Sequence, residues 1–174
     1  MNKKIIVLAI LAGSAFASVA QAADGTINFT GSITDTACTV STDTKNQTVN
    51  LGKVSKTAFA AAGDVAAPTK FDIVLEECPA TVTNASVKFD GPIDPANSNL
   101  LALTAGTGIA TGVGVGIYEQ NASTIIPIAT NSASKTLSST ADNKFEFIAK
   151  YVATAAAVTQ GPANAATNFT ISYQ

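Results

Sequence analysis

Short segments in which apolar and polar residues alternate one by one recur along this chain, and a period of two is the pattern of strands half buried against a core. The segments are Thr26–Thr34, Thr48–Val54, Phe71–Glu76, Ser86–Phe89, Gly112–Tyr118, Lys144–Val152 and Thr167–Tyr173. Helical periodicity is scarce. Between the segments stand Asp90-Gly91-Pro92, Asp94-Pro95-Ala96-Asn97 and Gln160-Gly161-Pro162. These form turns, because Gly supplies positive φ and Pro fixes φ at about −65°. Seven short strands with few charges predict an all-β sandwich of immunoglobulin-like size. Ala58–Ala67 is rich in a strong helix former, but Gly63 and Pro68 interrupt it, so it reads as loop with at most a short helical turn.

The first 22 residues belong to a different programme. Lys3 and Lys4 precede an apolar run from Ile5 to Ala12, and Ala20-Gln21-Ala22 is a small-residue cleavage pattern. That is a secretory signal peptide, too short and too interrupted by Gly13, Ser14 and Ser18 to span a membrane. Cleavage after Ala22 leaves 152 residues, enough for one domain with a sizeable core. The mature chain keeps 8 Lys and no Arg against 12 acidic residues, a net charge of −4. Without clustered cations to neutralise phosphates it is a poor partner for nucleic acid, and no later stretch is apolar enough for membrane insertion.

Export to an oxidising compartment gives Cys38 and Cys78 their meaning as one disulfide. In the chain-entropy view, closing a loop of this size contributes roughly 4 kcal/mol. A metal or redox site fits poorly: the 39 intervening residues match no C-x-x-C or zinc spacing, and no His is present to complete a ligand set. No metal or other cofactor is expected.

Catalysis lacks its usual parts. A chain without His has no Ser-His-Asp or Cys-His machinery. Paired carboxylates, which can serve glycoside hydrolysis, occur as Glu76-Glu77 and as Asp90 with Asp94, yet the first pair ends a strand beside Cys78 and the second flanks turn prolines. The glycine-rich run Gly112-Val113-Gly114-Val115-Gly116 is no nucleotide loop, because Val113, Val115 and Ile117 alternate as in a strand. Its glycines suggest a bulge or a close approach of another backbone.

From Ala23 to Gln174 the sequence resembles the chaperone-usher pilins, the structural subunits of type 1-like pili. The resemblance is carried by Thr26-Ile27-Asn28-Phe29-Thr30-Gly31-Ser32-Ile33 ahead of Cys38, by Val49-Asn50-Leu51-Gly52-Lys53-Val54, and by Phe71-Asp72-Ile73-Val74-Leu75 leading to Cys78. It is carried most by the end of the chain, where Gly161 is fourteenth from the C-terminus and Tyr173 is penultimate. The resemblance implies an incomplete immunoglobulin-like β-sandwich that lacks its last strand and is completed by a donor strand from a neighbouring subunit. It assigns residues 1–22 to the signal, 23–34 to the donor-strand extension and 35–174 to the pilin domain.

By the same resemblance, Ile27, Phe29, Gly31 and Ile33 form the donor face, with Gly31 small where a groove is tight. Gly161, Phe169, Ile171 and Tyr173 mark the strand that a periplasmic chaperone grips before an outer-membrane usher exchanges it for a neighbouring pilin. Such strand addition draws direction from main-chain hydrogen bonds and fit from alternate side chains. Burying two Ile and one Phe would contribute on the order of 5–8 kcal/mol before ordering costs. Gly25, two residues before Ile27, offers no side chain to the far end of such a groove. The implied role is a fimbrial subunit on the bacterial surface that supports adhesion, with no separate receptor-binding domain. The competing reading is a self-complete secreted β-sandwich that binds carbohydrate or a host protein as a monomer.

Overall fold

A computed structural model describes residues 25–31, 33 and 37–174. The signal peptide lies outside them, as do Ala23, Asp24, Ser32 and Thr34 of the expected extension. Chain contacts divide the protein between Ile33 and Thr34, and the two units are described separately. Residues 25–31 and 33 carry no strand, so the described part of Thr26–Thr34 alternates in sequence without being paired into a sheet.

The second unit is a β-sandwich. Its elements begin with β1 (Thr39–Val40), the one-turn helix α1 (Thr42–Lys45) and a 3-10 turn at Lys56–Ala58. Then follow β2 (Val65–Glu76), β3 (Asn84–Asp90), β4 (Val113–Glu119), β5 (Lys135–Thr136), β6 (Asn143–Ala153) and β7 (Asn168–Tyr173). One sheet has the order β1-β2-β6-β4 and the other β5-β3-β7. All of these pairs are antiparallel.

The core follows from the alternation. Ile73 and Leu75 of β2, Phe145 and Phe147 of β6, and Val115 and Ile117 of β4 face Ala85, Val87 and Phe89 of β3. Phe89 bridges the layers edge-on, with ring centroids 6.0 Å from Phe71 and 5.1 Å from Phe147. Such edge-to-face aromatic pairs add stabilisation beyond the area they bury. The other face of the four-stranded sheet is also covered, by Leu100 against Tyr118, Ile148 and Val152. This is where the glycines of β4 matter. A Cβ on Gly114 would meet the Leu101 carbonyl at 3.0 Å, and one on Gly116 would meet the Tyr118 ring at 2.8 Å. The close approach expected from the sequence is therefore present. Lys150 is buried on the same face, its ammonium 4.2 Å from the Tyr118 ring centroid and donating to the Ala122 carbonyl.

Two expectations need correction. Thr48–Val54 is not a strand. The edge of β2 beside it is satisfied by side chains instead: Thr44 Oγ1 accepts from Val74 N–H at 3.1 Å and Gln47 Nε2 donates to the Asp72 carbonyl at 2.8 Å. Gly52, at φ 70°, then turns the chain. The stretch Ala58–Ala67 is loop only to Asp64, because β2 begins at Val65 and pairs with Val152. A register shift between Ala66 and Thr69, with Ala67 at φ 53°, lets Pro68 sit in the strand without a ladder donor.

Candidate functional site

The last strand, β7, lies at a sheet edge. It pairs with β3 on one side, and among the described residues no strand pairs with the other. Which groups face that open side follows from the ladder. Asn84 and Gln174 exchange both backbone bonds, at 3.1 and 2.9 Å. Antiparallel pairs alternate, so Ser172, Thr170 and Asn168 also turn their backbone groups toward β3. Phe169, Ile171 and Tyr173 turn theirs outward. Those same three side chains share one face and pack against the core. Each of them thus offers a half-buried apolar side chain and an N–H and C=O without a backbone partner among the described residues, on one exposed margin.

The margin is one wall of a groove. Val49 and Leu51 pack against the same core cluster as Phe169, Ile171 and Tyr173, and so do Phe71, Leu103 and Tyr151. All are only partly buried. At one end, residues 52–54 face residues 158–164 across a cavity of about 520 Å³ lined by Val54, Phe59, Val113, Tyr151 and Pro162. At the other end the Tyr173 hydroxyl donates to the Cys38 carbonyl at 3.4 Å. Burial raises the phenols of Tyr173 and Tyr151 above their ordinary value of 10.0, so both remain neutral donors at physiological pH. Tyr151 uses its hydroxyl on the Ala163 carbonyl at 3.0 Å, holding the strip that precedes β7.

Gly161 belongs to that strip. Its φ is 155°, and a Cβ would lie 2.3 Å from the Gly108 carbonyl oxygen and 2.5 Å from Ala110 N. No side chain fits there. The strip runs beside residues 104–111 through Ala110 N–H to the Pro162 carbonyl (3.0 Å) and Thr104 N–H to the Asn164 carbonyl (2.7 Å). Gly161 and Tyr173 therefore bracket the groove from opposite ends and do not share one regular strand.

The disulfide Cys38–Cys78 is formed, with both cysteines buried and their Cα atoms 4.2 Å apart. Buried Asn143 holds the neighbouring loop. It accepts from Ser138 N–H at 2.7 Å and donates to the carbonyls of Ser138 and Ala141, at 2.9 and 3.2 Å, and to Cys78 Sγ at 3.3 Å. In the first unit, Ile27, Phe29 and Ile33 are exposed, Phe29 to 91 %, and a Cβ on Gly31 would meet nothing within 4 Å. The residues missed in the sequence are Val49, Leu51, Tyr151 and Leu103. Tyr151 was legible, since it continues the two-residue period of Phe145, Phe147 and Ala149. Among the described residues no helix is long and apolar enough to cross a membrane.

Curated relatives match this sequence, and solved structures share its architecture. The probable major fimbrial subunit LpfA of Escherichia coli O157:H7 is 42 % identical over 168 residues, covering 96 % of this chain and 92 % of that protein. The crystal structure of the P pilus rod subunit PapA superposes with a TM-score of 0.67 at 26 % identity, over 80 % of this chain and 100 % of the other. A Burkholderia pseudomallei antigen and type I fimbria protein gives a TM-score of 0.62 at 41 % identity, over 86 % and 97 %. The fold is accordingly the incomplete immunoglobulin-like sandwich of pilus subunits. The model of the family described as fimbrial protein matches residues 27–174, so the chain belongs to the fimbrial protein family and is a structural subunit of a bacterial surface fimbria.

Proposed function

We propose that the subunit polymerises head to tail by strand donation, residues 23–34 of one copy entering the groove of the 35–174 domain of the next. The observation that carries this reading is the open margin of β7, where Phe169, Ile171 and Tyr173 pack apolar side chains inward while their backbone groups have no partner among the described residues. A neighbouring strand with Ile27, Phe29, Gly31 and Ile33 on one face supplies what the margin lacks: a ladder for the backbone and a row of apolar groups for the groove. The interface is heterologous and does not close, so it generates a filament.

Before assembly the same margin is an aggregation hazard, because an apolar open edge pairs with any available strand. A periplasmic chaperone that lends a strand covers it, and an outer-membrane usher exchanges that strand for the next subunit's. Catalysis has no part in this reading. A self-complete sandwich acting as a monomer is disfavoured, since it requires the margin to be paired within the chain.

The test is an unboiled denaturing gel of the periplasmically produced protein, with chaperone and usher present, comparing the mature chain with one lacking Ala23–Thr34. A ladder of oligomers that collapses on boiling and vanishes in the truncated form is expected. A single monomer band from both forms overturns the reading and restores the self-complete sandwich.

A further inference from the structure

We propose that assembly joins neighbouring copies by a second, charged contact, in which Lys53 and Lys56 of the copy accepting a strand face Glu76 and Glu77 of the copy donating it. The inference rests on strand donation and goes beyond it, because donation alone requires no contact between the folded domains.

The direction of the donated strand comes first. Every strand pair in the domain is antiparallel, and antiparallel ladders are the more stable per residue. The two ends of the groove agree with an antiparallel entry. Where Tyr173 already reaches the Cys38 carbonyl, Gly25 fits because it has no side chain. Where the cavity of about 520 Å³ stands open between Val54, Val113, Tyr151 and Pro162, Ile33 has somewhere to go. Setting Gly25 beside Tyr173 places Ile33 beside Ala165, two residues from the cavity-lining Ala163. Residues 25–33 span about 27 Å at ~3.4 Å per residue, which suits the run.

The charges follow from the direction. Cys38 lies five residues after Ile33, a reach of at most about 18 Å. The Cys38 end of the donor is thereby tethered close to the cavity of the acceptor. The cavity rim carries Lys53 and Lys56, both exposed and neither in an ion pair among the described residues. The Cys38 end carries Glu76, the register partner of Thr39, and Glu77, whose Oε2 accepts from Thr39 Oγ1 at 3.4 Å. Neither is ion-paired among the described residues, and exposed Asp142 adds a third negative charge beside them.

Nearby groups of the opposite sign are already occupied. Lys144 pairs with Asp72 at 2.8 Å. Asp64, next to the basic rim, accepts from Ala60 and Ala61 N–H within its own loop. Basic charge at one end of β2 and acidic charge at the other are complementary only head to tail. Over distances near the Debye length of about 8 Å they steer approach and disfavour the wrong end.

The test uses the full chain produced with its chaperone and usher, read as the fraction of subunit in the heat-dissociable ladder. K53E/K56E and E76K/E77K should each lower that fraction about tenfold, and the fourfold variant carrying both reversals should return to within about twofold of the unaltered chain. Equal ladders from all the charge variants, or a fourfold variant no better than either double, overturns the contact. I27D/F29D separates the two claims. If it removes the ladder while charge reversal does nothing, the charged contact fails alone; if it leaves the ladder intact, strand donation fails with it.

Discussion

The hydroxyl of Tyr173 donates to the carbonyl of Cys38 at 3.4 Å, joining the last strand to the disulfide across 135 residues of sequence. The bond fixes one end of the groove to a covalently closed loop, so the margin of β7 is held in place although one of its sides is open. Tyr173→Phe keeps the packed ring and removes only this bond, and should cost about 0.5–1.5 kcal/mol of unfolding free energy, read from urea denaturation of the assembled protein. Tyr173→Ala should cost about 3 kcal/mol, the low end of the range for losing an aromatic ring because this one is half buried.

Asn143→Ala should be costly for its size. The side chain makes four hydrogen bonds, and its loss leaves Ser138 and Ala141 groups unpaired next to buried Cys78. A loss of about 2–3 kcal/mol is expected. Gln120→Ala, which removes one exposed bond to Glu146, should change the unfolding free energy read from urea denaturation by less than about 0.5 kcal/mol.

Gly161→Ala should displace the strip before β7 from residues 108–110, where a Cβ would lie 2.3 Å from the Gly108 carbonyl oxygen. Overpacking of this kind costs about 1–3 kcal/mol and strained backbone a similar amount. The unboiled gel should show a depleted ladder. Gly25→Ala has nothing within 4 Å and should leave folding of the domain unchanged.

High pH should weaken the protein through its three tyrosines. Burial raises Tyr118, Tyr151 and Tyr173 above 10.0. A raised folded value means the stability these groups contribute is complete below the unfolded value of about 10 and is lost as pH rises through the folded one. With no His in the chain, no side chain of that type changes charge near neutrality. Urea midpoints should therefore fall on moving from pH 9 to pH 11, and Tyr151→Phe should shrink that fall.

The central strands were legible in the sequence because each buries one face: the two-residue period of Phe145, Phe147 and Ala149 is the core itself. Val49 and Leu51 show the limit of that signal. Both point inward with the expected period, yet their backbone has no ladder, because side chains of Thr44 and Gln47 satisfy the edge of β2. Periodicity reports burial of a face and says nothing about pairing. The first residues of β2 were hidden by Pro68 and the alanines, which carry little polar contrast, and the two-residue strands β1 and β5 are too short to show a period. The groove was invisible for a different reason: a missing strand leaves no residues to read, and only the resemblance at Gly161 and Tyr173 pointed to it.

The pairing of β7 with β3 carries a consequence in time. Asp90 meets Asn168 and Ala85 meets Tyr173, contacts between residues about eighty positions apart in the chain. Loop closure over such distances is slow, and domains dominated by it fold in milliseconds to seconds. Throughout that interval the core side of β3 has no neighbour where β7 will lie, so the nascent molecule is sticky at Val87 and Phe89 well before it presents the finished margin. A chaperone of the kind proposed above would therefore protect most if it bound while the two strands are still searching for each other.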